Sequence, residues 1–161
     1  LGALQQALRD LSQWVEKGVE PASSTKYKIQ DGQVIIPEKA QERDGIQASV
    51  EAKVNGKEQE TIQKGVRLNF SGKVELPQST GKLVYSAWDF DGSGEFKTIV
   101  DLSQARISEN GTQVEFSISH QFDQAGTYFP SLRIATQREG DSSTPFARIQ
   151  NIDRVKVSVT Q

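Results

Sequence analysis

The hydrophobic period changes once along the chain, and the change divides it. Between residues 3 and 17, Leu4, Leu8, Leu11 and Val15, with Ala7 and Trp14, recur at three- and four-residue intervals and draw one apolar stripe on a helix. Lys17 in the last turn, Gly18 behind it and Pro21 beyond supply the stop. A helix this short is marginal alone in water, so its stripe calls for a surface. That surface is either the domain that follows or a partner lying upstream. From Ile46 the period becomes two. Val50, Ala52 and Val54 alternate with Glu51 and Lys53 before an Asn55-Gly56 turn, and Val66, Leu68 and Phe70 alternate with Arg67 and Asn69. Val84, Ser86, Trp88 and Phe90 follow, then Val114, Phe116 and Ile118 after Asn110-Gly111. Tyr128, Pro130, Leu132 and Ile134 come next, and Val155, Val157 and Val159 close the series.

Short strands with turn signals between them predict an all-β fold, an antiparallel β-sandwich. No amphipathic helix separates the strands, which excludes an α/β order. Between the two regimes, Pro21 to Thr25 is turn-forming, and Asp31-Gly32 precedes a short apolar run, Val34-Ile35-Ile36, closed by Pro37. Glu38 to Asp44 is almost wholly polar and ends at Gly45. The expected division is a helix over 1–20, an extended connector with one strand over 21–45, and the sandwich over 46–161.

At 161 residues the chain suits one domain with an appendage. Its 19 basic and 21 acidic residues leave a net charge of −2, with no electrostatic footprint for nucleic acid or a membrane surface. The longest apolar run is far short of a bilayer span, so no transmembrane segment is expected. The absence of cysteine removes disulfides, thiol catalysis and thiolate metal sites together. There is no methionine either, and Leu1-Gly-Ala-Leu-Gln5 lacks the basic start and apolar core of a signal peptide. The expectation is a piece of a longer protein.

Two local motifs sharpen the fold. Trp88-Asp-Phe-Asp-Gly-Ser93 ends an early-middle strand, where immunoglobulin-like sandwiches bury their central ring. His120-Gln-Phe-Asp-Gln-Ala-Gly-Thr-Tyr128 leads into a later strand, and Asp123 to Tyr128 has the form of a tyrosine corner. Together they resemble the PKD domain, an immunoglobulin-like module of surface and secreted proteins, over about residues 46–161. The resemblance implies an extracytoplasmic setting: secreted, periplasmic or at the cell surface. It assigns structural roles to Trp88, His120, Asp123 and Tyr128. The sequence departs from the family pattern in lacking a glycine between Phe90 and Asp91, in placing Pro130 within a strand, and in the length of residues 91–112. Ala7 to Ser24 resembles the last helix and exit of α/β-hydrolases of the tannase and feruloyl-esterase kind. That likeness implies an upstream hydrolase domain whose catalytic serine and histidine lie before this sequence.

Candidate chemistry concentrates behind Trp88. Asp89, Asp91, Ser93 and Glu95 alternate around Gly92 and Gly94, and such a loop could offer oxygens to calcium. The acid expected at the end of a calcium loop falls instead on Val100, with Asp101 one residue late. The competing reading is an Asp-Gly turn whose side chains cap backbone amides, with Asp89 pointing away from the core. No other cofactor is implied. His120, the sole histidine, reads as a hydrogen-bonded structural residue, because Ser119 beside it on a strand faces the other way. Acid pairs such as Asp89 with Asp91, or Asp123 with Asp141, are not selected for glycoside hydrolysis by any spacing. Tyr85, Phe96 and Phe129 fall out of phase with their strands' core residues and are candidate ligand contacts, against packing on a partner domain or the helix. Asn69-Phe-Ser71 and Asn110-Gly-Thr112 are glycosylation acceptors on a eukaryotic secretory route.

The reading is a non-catalytic accessory or interaction module of a larger extracytoplasmic protein, attached to an α/β-hydrolase-like domain. Its partner is that upstream domain or a protein or polysaccharide surface, and not nucleic acid. The alternative is a carbohydrate- or calcium-binding sandwich using the loop from Asp89 to Glu95.

Overall fold

The computed structural model describes residues 2–161; Leu1 lies outside them. One helix, α1 (Gly2–Lys17), opens the chain, and a hairpin of β1 (Lys28–Gln30) and β2 (Gln33–Ile35) follows. After a short 3-10 turn at Ala40–Arg43 come β3 (Ser49–Val54), β4 (Gln59–Gln63), β5 (Arg67–Glu75) and β6 (Lys82–Asp89). Then come β7 (Thr98–Ile99), β8 (Arg106–Ile107), β9 (Gln113–Gln121) and β10 (Gly126–Tyr128). The chain closes with β11 (Ser131–Gln137), β12 (Arg148–Arg154) and β13 (Lys156–Thr160).

Two four-stranded antiparallel sheets, β3-β5-β9-β8 and β12-β11-β6-β7, bury their facing sides against each other. That strand order is the one an immunoglobulin-like sandwich takes, with first, second, fifth and fourth strands on one sheet and the remainder on the other. A third sheet, β10-β13-β4, extends the second, with β13 antiparallel to β10 and parallel to β4. Pro130 explains the division. It cannot donate to a ladder, so the strand breaks into β10 and β11 there. The neighbouring strand breaks beside it at Val155, whose amide donates to the Pro130 carbonyl at 3.0 Å.

Alternation places Ala52, Val54, Leu68, Phe70, Val74, Trp88, Leu132, Ile134, Val155 and Val157 in the core, each almost wholly excluded from water. Gly72 sits where β5 must approach the opposite layer closely; a Cβ there would lie 2.5 Å from the Phe116 ring and 2.7 Å from Leu132. On the solvent side of the first sheet, Glu51, Lys73, Glu115 and Arg106 stand opposite one another in a row of alternating sign. Such pairing favours this register over a slipped one. At the β12 edge, Asn151 Nδ2 donates to the Ala48 carbonyl at 2.9 Å and Asp153 Oδ2 accepts the Ala52 amide at 2.7 Å. These two side chains close the gap between the sheets.

Three sequence expectations need correction. Val84 does not hold a core position in phase with Ser86. β6 carries a bulge there, pairing Tyr85 with Ala135 and Leu83 with Thr136, so Leu83 faces inward instead. Val66 lies just before β5 and is exposed. The connector holds a two-stranded hairpin, turned at Asp31 and Gly32 with φ of 51° and 76°, rather than one strand. Its later part is packed down: Arg43 Nε donates to the Pro37 carbonyl at 2.6 Å, and the Ala40 amide donates to Glu75 Oε2 at 3.1 Å.

For α1 the sequence left two surfaces open. The apolar stripe does not dock on the sandwich; the polar face does. Gln6 Oε1 accepts the Ala147 amide at 2.8 Å, Asp10 pairs with Arg138 at 3.1 Å, and the Arg9 guanidinium lies 3.7 Å from the Phe146 ring centre. Leu4, Leu8, Leu11, Trp14 and Val15 are all at least half exposed. No helix among the described residues is long and apolar enough to cross a membrane.

Candidate functional site

The two motifs behind the PKD resemblance meet in space. Trp88 and Phe90 leave β6 on its inner face, while His120 and Phe122 end β9 opposite them. Trp88 stacks on Phe90 at 5.6 Å and 9°, and Phe90 stacks on His120 at 3.8 Å and 2°. His120 meets Phe122 edge-on at 4.7 Å, and Phe122 lies against Tyr128 at 4.3 Å. Phe70 packs edge-on against Trp88 at 5.3 Å from the other sheet. Offset and edge-to-face contacts of this kind each add to plain burial. The series plugs one end of the sandwich. The Tyr128 hydroxyl donates to the Gln124 carbonyl at 3.0 Å, the hydrogen bond that defines a tyrosine corner. Asp123 accepts from Gln121 Nε2 at 2.8 Å on the outside of that corner.

His120 is held by this stacking rather than by the hydrogen bond expected of it. Desolvation holds its imidazole below its ordinary pKa, against the smaller opposing pull of Asp123. Ser119 points to the solvent side of β9 while His120 points inward, so the two do not form a nucleophile–base pair.

The acidic loop turns its oxygens onto its own backbone. Asp89 keeps the outward phase of β6, opposite Ser131, but is buried under its own loop; Oδ1 accepts the Gly92 amide at 2.9 Å and Oδ2 the Gly94 amide at 2.7 Å. Gly92 and Gly94 take φ of 72° and 80°, which only glycine adopts freely, and this brings both amides round to one carboxylate. Asp91 Oδ1 accepts the Ser93 amide at 3.0 Å, Ser93 Oγ the Glu95 amide at 3.3 Å, and Glu95 pairs with Lys97 at 2.9 Å. Hydrogen bonds from the Ser93 side chain and amide hold the Asp91 carboxyl down at about 2. Five oxygens of the loop, Asp89 Oδ1 and Oδ2, Asp91 Oδ1, Ser93 Oγ and Glu95 Oε2, are thus engaged by donors of the loop itself. Among the described residues no group of three or more His, Cys, Asp and Glu side chains is arranged to hold a metal ion.

The loop also delivers Phe96 to the outer face of the second sheet. The Tyr85 hydroxyl donates to the Phe96 carbonyl at 3.4 Å. Arg133 on β11 lies over both rings, 4.1 Å from the Phe96 centre and 5.6 Å from that of Tyr85. Two of the three candidate contact aromatics therefore come together around a cation that the sequence did not single out. Cross-strand pairing puts Ile152, Arg133, Ala87 and Ile99 in one row over this face. The two flanking isoleucines are 54% and 68% exposed, while Ala87 beneath is fully covered. Phe129 stands apart at the β10–β11 break, half exposed, with the Arg154 guanidinium 5.7 Å from its ring centre. The signal that could have found Arg133 is its position, out of phase between Leu132 and Ile134 and therefore on the same face as Tyr85.

The remaining candidates are scattered. Asp123 precedes β10 and Asp141 follows β11, at opposite ends of the sandwich, so no cleft joins them. Asn69 is exposed on β5, and Asn110 is exposed in the β8–β9 turn, where its Oδ1 accepts the Thr112 amide at 3.2 Å.

No protein-family model matches the chain, and no curated protein matches it. Among solved structures it is similar to AggA, the major subunit of aggregative adherence fimbriae type I of Escherichia coli. The two are 16% identical with a TM-score of 0.43, over 70% of this chain and 95% of that one.

Proposed function

We propose that the chain is a non-catalytic interaction module that meets its partner through the outer face of the β12-β11-β6-β7 sheet. The observation that carries this reading is the row of Ile152, Arg133, Ala87 and Ile99, with Tyr85 and Phe96 gathered on Arg133. Aromatic rings and arginine are the side chains most enriched in contact surfaces and their hot spots. Exposed isoleucines on either side supply apolar area that needs no hydrogen-bond partner. The convergence of Trp88, Phe90, His120, Phe122 and Tyr128 into one plug supports the PKD-like reading of residues 46–161, and with it an extracytoplasmic setting. Attachment to an α/β-hydrolase-like domain rests on the likeness of Ala7 to Ser24 alone; a Gly-x-Ser-x-Gly elbow in the upstream sequence would support it.

The test is retention on immobilised polysaccharides and on immobilised cell-envelope proteins, comparing the native chain with an Ile99→Glu/Ile152→Glu variant. Both isoleucines are exposed, and circular dichroism checks that the variant keeps the fold. Retention of the native chain on one matrix and its loss in the variant is expected; equal retention of the two overturns the proposal.

A second reading, carbohydrate binding, is favoured by Phe129, whose half-exposed ring could stack on a sugar. Polysaccharide affinity electrophoresis with Phe129→Ala and Tyr85→Ala tests it. Retardation that survives both substitutions removes the aromatic platform from consideration.

A further inference from the structure

The exposed stripe of α1 is narrower than a face meant for a sheet or a broad core. Leu4, Leu8, Leu11 and Val15 follow one another at spacings of four, three and four, the alternation of a coiled-coil seam. In that heptad frame Leu4 and Leu11 take the d positions, and Leu8 and Val15 the a positions. The residues docked on the sandwich, Gln6 and Asp10, take f and c, on the far side of the helix. The module thus holds α1 by its back and presents the seam outward. The flanking e and g positions are Gln5, Ser12, Ala7 and Trp14, with no charge among them. An identical helix laid alongside meets no like-charge repulsion from these flanking positions.

We infer that this seam pairs with the same helix of a second copy of the chain. Area argues for the occupant. The five apolar side chains are 63%, 59%, 52%, 50% and 77% exposed for Leu4, Leu8, Leu11, Trp14 and Val15. They leave on the order of 600 Å² in water per copy, so a pair buries at most roughly 1,200 Å², the lower edge of specific interfaces. Such a dimer is weak and reversible, with dissociation in the micromolar range. The inference is independent of the sheet-face reading, and it competes with the hydrolase likeness, which would give the seam to a preceding domain.

Sedimentation equilibrium of residues 1–161 between about 1 and 200 μM tests it. The expected result is a mass rising from one chain to two across that range. In Leu8→Ala/Leu11→Ala, helix propensity rises while the knobs are lost, and the dissociation constant is expected to increase at least about tenfold. The sheet-face variant Ile99→Glu/Ile152→Glu keeps the native association. A native chain that stays at one mass throughout overturns the inference and leaves the seam to another domain. A dimer unaffected by the Leu8/Leu11 variant overturns it equally, by placing the contact elsewhere.

Discussion

Replacing Asp89 tests the structural reading of the acidic loop. Its carboxylate accepts two amides, from Gly92 at 2.9 Å and Gly94 at 2.7 Å. A hydrogen bond to a charged group contributes about 1.5–3 kcal/mol net. Both glycines are exposed, so water partly compensates the freed amides, and the lower end applies to each bond. Asp89→Ala is therefore expected to cost about 3 kcal/mol. Asp89→Asn keeps one acceptor oxygen and turns an NH₂ group toward the other amide, so about half that loss is expected. For a chain of this length 1 kcal/mol moves Tm by about 2–4 °C, which makes the alanine shift roughly 6–12 °C. Urea unfolding monitored by Trp88 fluorescence gives the free energies, and calorimetry gives Tm. The same samples with calcium and with chelator separate the alternatives. A site of about 10 μM affinity in 1 mM calcium would stabilise the native protein by about 2.7 kcal/mol. Alanine and asparagine variants both within about 0.5 kcal/mol of the native chain would refute the turn argument. So would a native Tm that rises with calcium and loses that rise on substitution.

Three further outcomes follow from the packing. Tyr128→Phe removes one partly solvated hydrogen bond to the Gln124 carbonyl and leaves the ring on Phe122, so a loss of about 1 kcal/mol is expected in urea unfolding; no change would remove the corner's contribution. His120 has its folded-state pKa held below the unfolded value by burial, so the unfolded chain binds the proton first as pH falls. Stability is then expected to decline from pH 7 through the unfolded value near 6.5 and level off below the folded one, and His120→Gln to flatten that slope. Gly72→Ala drives a methyl into Phe116 and Leu132 and is expected to cost about 1–3 kcal/mol by overpacking, where a neutral result would mean that the ring has room to move.

The sandwich was legible because alternation is a direct image of the pleat. Val50 to Val54, Leu68 to Phe70, Val114 to Phe116 and Val155 to Val159 go to the core as their period requires. Trp88 and Tyr128 announced their places through local chemistry. Period fails where backbone geometry intervenes, and the bulge at Val84 reverses the phase of the strand without any Gly or Pro to mark it. The Asp31-Gly32 turn was visible, but Lys28 to Gln30 carries too little apolar character to read as the second strand of its hairpin. The helix was read correctly in position, and the surface that its stripe meets was left open. The spacing of leucines shows which side of a helix is apolar, not whether a neighbour covers it, and here two polar side chains, Gln6 and Asp10, and the Arg9 guanidinium on a ring decide the docking. The outer sheet face was half legible: Tyr85 and Phe96 stand out of phase, but Arg133 reaches them only through strand pairing between residues far apart in sequence.

The parallel pairing of β4 with β13 has a mechanical consequence. Lys156 to Thr160 lie beside Gln59 to Gln63 in the same direction, register pair by register pair. A pull transmitted from upstream reaches β4 only after β3, and draws it toward its start, while a pull from downstream draws β13 toward its end. The two strands are then dragged past each other lengthwise, and the load falls on all their hydrogen bonds together instead of opening them one at a time. Placed in series between two tethered neighbours, the module would yield late and abruptly, as a tension-bearing link.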